Sequence, residues 1–161
     1  MYESYTETGY SLDKLKGVIL LEWETLLRKV IASSEHQSTV ILMDHIPQIL
    51  VQLGNILKEG QVDEIELGKH HGYYRSMMSD YSLTDLMTEY SLLREVLIHN
   101  LYPMGDVACS KLIHKFLDIL TKHSVVEYLS SQYVHQAISA EPIGSETQEI
   151  HDNPVIPTAN H

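Results

Sequence analysis

Apolar residues recur at spacings of three and four along most of the chain, the period of helices that bury one face. Over residues 12–32, "LDKLKGVILLEWETLLRKVIA" puts Leu12, Leu15, Ile19, Trp23, Leu26, Leu27 and Val30 on such a stripe. A first helix is predicted there with Ser11 as its cap, weakened in its early turns by Gly17. The next apolar segment contains Pro47, and proline is accepted only in a helix's first turn. That segment therefore reads as a short helix to about Met43, a restart capped by Asp44, and an end near Gly60.

A third helix is expected over residues 62–78, where Gly68 and Gly72 share a face and let another helix come close. Ser82 followed by Asp85 is the reciprocal cap that opens a fourth helix, with Leu83, Leu86, Met87, Tyr90, Leu93, Leu97 and Leu101 as its buried face. Pro103 and Gly105 end it and Asp106 caps the last helix. That helix carries Leu112, Ile113, Phe116, Leu117, Leu120, Val126, Leu129 and Tyr133, and its length exceeds what a small core needs. Residues 139–161 hold three prolines and no apolar period, the composition of a flexible tail or linker behind a helical domain at residues 1–138. The fold class is thus all-α, an antiparallel bundle of about five helices with a long C-terminal one.

Composition narrows the partners. Twenty-two acids against 11 bases give a formal charge of −11, which repels a nucleic-acid backbone. No run approaches the roughly 18 consecutive apolar residues of a membrane span, and the N-terminus lacks a basic region followed by an apolar one, so a cytoplasmic location is expected. The single cysteine, Cys109, makes no internal disulfide and reads as a core residue.

Ten histidines raise the question of metal and haem chemistry. Glu66 with His70, and Glu95 with His99, stand four apart on helices, so each pair presents a carboxylate and an imidazole on one face. Di-iron bundles use a spacing of three with further glutamates, so these pairs read first as solvated helix faces. His99, His114 and His123 are candidates for a proximal haem ligand by type alone. "SLDK" at residues 11–14 matches a serine–lysine spacing without partner motifs, and no phosphate loop, HExxH or CxxC occurs. A non-catalytic domain without a cofactor is expected. Arg75 and Glu89, on either side of the turn at residues 79–82, are placed to meet across a helix interface, with Arg94 just off the face of Glu89.

The pattern His71-Gly72-x-x-Arg75, Tyr81-Ser82-Leu83, Glu89-Tyr90-x-x-Leu93-Arg94 resembles the RsbRD N-terminal domain family, named after the RsbT co-antagonist, which heads bacterial stressosome proteins and many sensor histidine kinases. "LLEWETLLR", "LMDHIPQILVQL" and "HKFLDILTKHSVVEYL" are similar to its first, second and closing helices, so the resemblance covers residues 12–136. It implies a non-catalytic input domain, bundle or globin-like, that forms a homodimer and signals through its last helix to a C-terminal output module. Trp23, Leu26, Leu50, Leu86, Tyr90, Leu93, Leu97, Phe116 and Leu120 would pack it, and His71, Arg75, Glu89 and Arg94 would set its register. These residues contain no phosphoacceptor motif followed by an ATP-binding domain, so the reading favours the N-terminal region of a longer kinase over a stand-alone adaptor. A haem- or metal-binding helical sensor is the alternative of a different class.

Overall fold

The computed structural model describes residues 5–60, 66–102 and 107–140, and these form an all-α helical bundle. Its helices are α1 (Thr6–Val30), α2 (Thr39–Met43), α3 (Ile46–Glu59), α4 (Glu66–Ser76), α5 (Leu83–Leu101) and α6 (Val107–Ser139). The expected start of the third helix, its stop signals Pro103 and Gly105, the cap Asp106 and nearly all of the tail lie outside the described residues.

α1 begins earlier than a cap at Ser11 would place it. The backbone N–H of Tyr5 donates to the carbonyl of Leu57 at 2.7 Å, so the end of α3, and not a side chain, supports the first turn. After Ile31 the chain makes a single 3-10 turn over Ala32–Ser34. Arg28 closes it by donating to the carbonyls of Ser34 and Gln37, both at 3.0 Å, while gripping Glu24. Ser38 caps α2 by accepting from the Ile41 N–H. Pro47 sits in the first turn of α3, as its missing N–H requires, and Gly60 ends that helix in the left-handed region at φ 69°.

α1 packs between α3 and α5, α5 also packs on α6, and α4 lies along α6. Of the nine residues expected to pack the domain, Trp23, Leu50, Leu86, Tyr90, Leu93, Leu97, Phe116 and Leu120 are buried and Leu26 only flanks the core, as do Leu15 and Leu83 on the predicted stripes. Met87 and Val30 face outward, because one helix buries only one stripe. Cys109 is buried, as expected.

At the α4–α6 seam the two helix backbones come close at glycines. A β-carbon built on Gly72 would lie 2.2 Å from the Ser124 carbonyl oxygen, and one on Gly68 would lie 2.9 Å from that of Leu120. Ser124 Oγ donates to the Gly68 carbonyl at 2.6 Å, which leaves it to accept from Tyr90 Oη at 2.7 Å. This seam selects which face of α6 turns inward past its midpoint: Ser124, Tyr128 and Ser131 are buried. Val126 lies about 200° around the helix from Ser124, and Val126, Leu129 and Tyr133 stand at 56%, 50% and 76% exposure although they share the helical spacing of the buried residues before them.

Residues 39–59 are long and apolar enough to match a membrane span by composition. In the fold the stretch turns at Asp44–His45, and Leu42, Ile46, Ile49, Leu50, Leu53 and Leu57 supply the core.

Gly72→Ala should lower the thermal midpoint, since the added methyl meets backbone, at a cost of about 1–3 kcal/mol or more. Gly17→Ala, with nothing within 4 Å, should be neutral or stabilising by up to about 1 kcal/mol. Thermal unfolding by circular dichroism of both variants checks the contrast.

Candidate functional site

Glu89 lies in α5 among Leu86, Tyr90 and Leu93, and its side chain is fully buried. An ionised carboxylate in such a place needs partners at all of its lone pairs. Oε2 accepts from Arg75 Nε at 3.0 Å and from the Tyr81 hydroxyl at 2.8 Å. Oε1 accepts from Arg75 Nη2 at 2.8 Å and lies 3.0 Å from His71 Nε2. That last contact is off the line of the imidazole N–H and acts mainly through charge. The backbone carbonyl of Glu89 accepts from Trp23 Nε1 at 3.1 Å, tying α1 to the same residue.

Arg75, in the last turn of α4, is equally well satisfied. Beyond the two-pronged bond to Glu89, Nη2 donates to the Leu42 carbonyl at 2.6 Å and Nη1 to the Ile41 carbonyl at 3.0 Å, with Met78 Sδ at 3.5 Å. The two carbonyls belong to the end of α2, where a five-residue helix leaves acceptors without intrahelical donors. Arg75 therefore neutralises Glu89 and caps α2 with one guanidinium.

His71, also fully buried, stands between two carboxylates, with Nδ1 2.9 Å from Asp44 Oδ2. Asp44 Oδ2 also lies 2.6 Å from His45 Nδ1. Burial alone would raise the Glu89 carboxyl, but the charges of His71 and Arg75 and their hydrogen bonds outweigh it and hold the group at about 2. Burial alone would lower His71; the Glu89 charge and the hydrogen bond to Asp44 overcome it and shift the imidazole upward. Burial alone would raise Asp44 as well, and its two histidine neighbours outweigh that and hold it below its usual value. Burial, followed by the nearby Glu89 charge, pushes Tyr81 upward, so its hydroxyl remains a donor.

The cluster reaches α6 by two routes. Tyr128 Oη donates to the Tyr81 carbonyl at 2.7 Å, next to which Gln132 Nε2 donates to the Ser76 carbonyl at 2.7 Å. The His71 ring packs edge-on against Tyr90, 5.5 Å between centroids, and Tyr90 in turn bonds Ser124.

Of the four residues expected to set register, His71, Arg75 and Glu89 meet as anticipated. Arg94 does not join them: it pairs with Asp118 on α6 and lies 3.4 Å from His114 Nδ1. Five residues past Glu89, it lies about 140° around the helix. Asp44 is corrected in the other direction. It is no helix cap, since His45 occupies the position before α3; its carboxylate completes the cluster instead. Positive φ at Asp44, 37°, is the backbone turn that delivers it. The Trp23 indole and the α2 carbonyls are further members that pattern reading missed.

The metal and haem candidates are dispersed. Glu66 and His70 are exposed on α4, with Glu66 2.7 Å from Lys69, and Glu95 and His99 are exposed on α5. His114 is half-buried beside a shallow groove lined by Lys111, Asp118 and Lys122. Among the described residues, three metal-ligating side chains come together at Asp44, His45 and His71, their donor atoms within 4.8 Å of one another.

Fold and cluster together define an all-α bundle locked by a buried arginine–glutamate–histidine network. No family model matches the chain, and neither a curated protein nor a solved structure matches it at a significant level.

Glu89→Gln should cost about 3–5 kcal/mol, because it leaves Arg75 charged and buried without its counter-ion and His71 with Asp44 alone. Denaturant unfolding measures it, and a loss below about 1 kcal/mol would contradict the assigned role. The two shifts also set a pH profile. Glu89 contributes stability that is complete above its unfolded value near 4.5 and is lost as pH falls towards about 2. His71 contributes below about 6.5, and that part is lost as pH rises through its raised folded value. Unfolding free energy should therefore peak between about pH 4.5 and 6.5, and His71→Gln should flatten the alkaline side.

Proposed function

We propose that this chain is a non-catalytic sensory and dimerisation domain of a bacterial sensor histidine kinase or stressosome-type regulator, acting in the cytoplasm and passing its signal through α6. The observation that carries this reading is the shape of α6. It is 33 residues long, about 50 Å at 1.5 Å per residue, and its final stretch leaves the bundle exposed. Leu129, Tyr133, Val134 and Ile138 are exposed on that stretch, at 50%, 76%, 54% and 67%. An extended helix with exposed apolar side chains favours pairing with a second copy, and a paired helix conveys a rotation or shift to whatever follows it. The RsbRD-like pattern supports the same reading, because its His71, Arg75, Tyr81 and Glu89 are the residues that meet in the buried cluster. The two hydrogen-bond routes from that cluster to α6 supply a mechanical path from core to output helix.

Catalysis is not part of the proposal: the lone pairs of Glu89 and the N–H donors of Arg75 are engaged within the fold. The haem alternative gains nothing from the placement of His99 and His114, which are exposed and half-buried beside charged residues.

Light scattering coupled to size exclusion should report a dimer, and Leu129→Glu combined with Tyr133→Glu should yield a monomer of unchanged helicity. A monomeric parent chain would remove the dimerisation claim. The signalling claim is tested by grafting a histidine kinase core after Ser139 with zero to seven inserted residues. Autophosphorylation that repeats with the seven-residue period of paired helices supports transmission through α6, whereas activity indifferent to spacing argues against it.

A further inference from the structure

The corner between α2 and α3 brings Asp44 and His45, which the signalling reading does not use, up to His71. His71 presents Nε2 to Glu89 Oε1 at 3.0 Å and Nδ1 to Asp44 Oδ2 at 2.9 Å. A ring with a carboxylate charge beside one nitrogen and further donors grouped at the other is placed as a metal-ligating imidazole is. Asp44 Oδ2 is also 2.6 Å from His45 Nδ1, so two imidazole nitrogens and one carboxylate oxygen converge from α4 and the α2–α3 corner. His45 Nδ1 is shielded from solvent and makes no directed hydrogen bond there.

We propose that Asp44, His45 and His71 form a binding site for a divalent transition-metal ion of the zinc class, with the Glu89 charge behind the His71 ring. Two nitrogens and one oxygen suit zinc, cobalt or nickel, whereas magnesium and calcium take oxygen ligands. Three protein ligands leave a fourth position for water or an external donor. The 2.9 Å between His71 Nδ1 and Asp44 Oδ2 is that of a shared proton, whereas His45 Nδ1, 2.6 Å from the same oxygen without a directed bond, offers its lone pair. Around a tetrahedral ion with bonds of about 2.0–2.1 Å the donors stand roughly 3.3 Å apart, so each nitrogen–oxygen pair spreads by about half an ångström on binding. The ion takes the place of the proton on His71 Nδ1, which passes to solvent, while the Nε2 proton stays towards Glu89. His45, 27% exposed, is the route of entry. Binding would tie the α2–α3 corner to α4 and hold Asp44 in its turn. This site stands apart from the dimeric signalling reading, and neither depends on the other.

The test is titration of the untagged, chelator-treated full chain with Co²⁺, followed by displacement with Zn²⁺. One equivalent should bind with the visible bands of a low-coordinate site, release protons, and raise the thermal midpoint. His45→Ala touches no bond of the Arg75–Glu89 pair and should weaken binding at least about tenfold, with circular dichroism confirming its fold. His99→Ala, on the exposed face of α5, should bind as the parent does. Absence of saturable binding by the parent chain, with no rise in its midpoint, overturns the site, as does one-equivalent binding that His45→Ala leaves intact.

Discussion

The bundle is organised around one anion taken out of water. A carboxylate at the position of Glu89 is tolerable only if the surroundings supply charge and donors for both oxygens, so every segment that supplies one is fixed by it. Arg75 and His71 bring α4, Tyr81 brings the turn before α5, and the Trp23 indole, bonded to the carbonyl of the same residue, brings α1. Through Arg75 the constraint extends to the last carbonyls of α2. An apolar replacement of the whole set would bury as well, but it would not demand this single register; specificity is the role assigned to the network here.

The second constraint is steric. Gly68 and Gly72 bring α4 against the backbone of α6, and Ser124 converts that proximity into hydrogen bonds with Gly68 and Tyr90. Because Tyr90 follows Glu89 in sequence and the His71 ring packs on it, the charged cluster and the close seam form one continuous unit. The cluster and α6 are thus joined through directly packed and hydrogen-bonded side chains, which is the physical basis of the proposal made for α6.

Half of the buried cluster is legible in the order of residues along the chain. Arg75 and Glu89 flank a short turn, and opposite charges at matched heights on joined helices find each other whatever the rest of the fold does. The true role of Asp44 is not legible there, because an acid ahead of Pro47 is locally a good helix cap; only its positive φ and the arrival of α4 turn it towards His71. Arg94 is misread for a related reason. Its closeness to Glu89 in sequence suggests a shared network, but the angle between them points it at Asp118 on α6.

The amino-acid sequence by itself determined that the chain is helical, where most helices stop, and which residues of α3 and α5 are apolar enough to be core, since period, proline, glycine and caps act over a few neighbouring residues. Tertiary structure alone decided that α1 starts at Thr6, because its support is a carbonyl on α3, and that the second half of α6 buries Ser124 and Tyr128 and leaves Leu129 and Tyr133 outside. Both outcomes depend on partners far away along the chain, such as the Gly68 carbonyl that receives Ser124, and no local pattern encodes which of two competing faces a distant helix will cover.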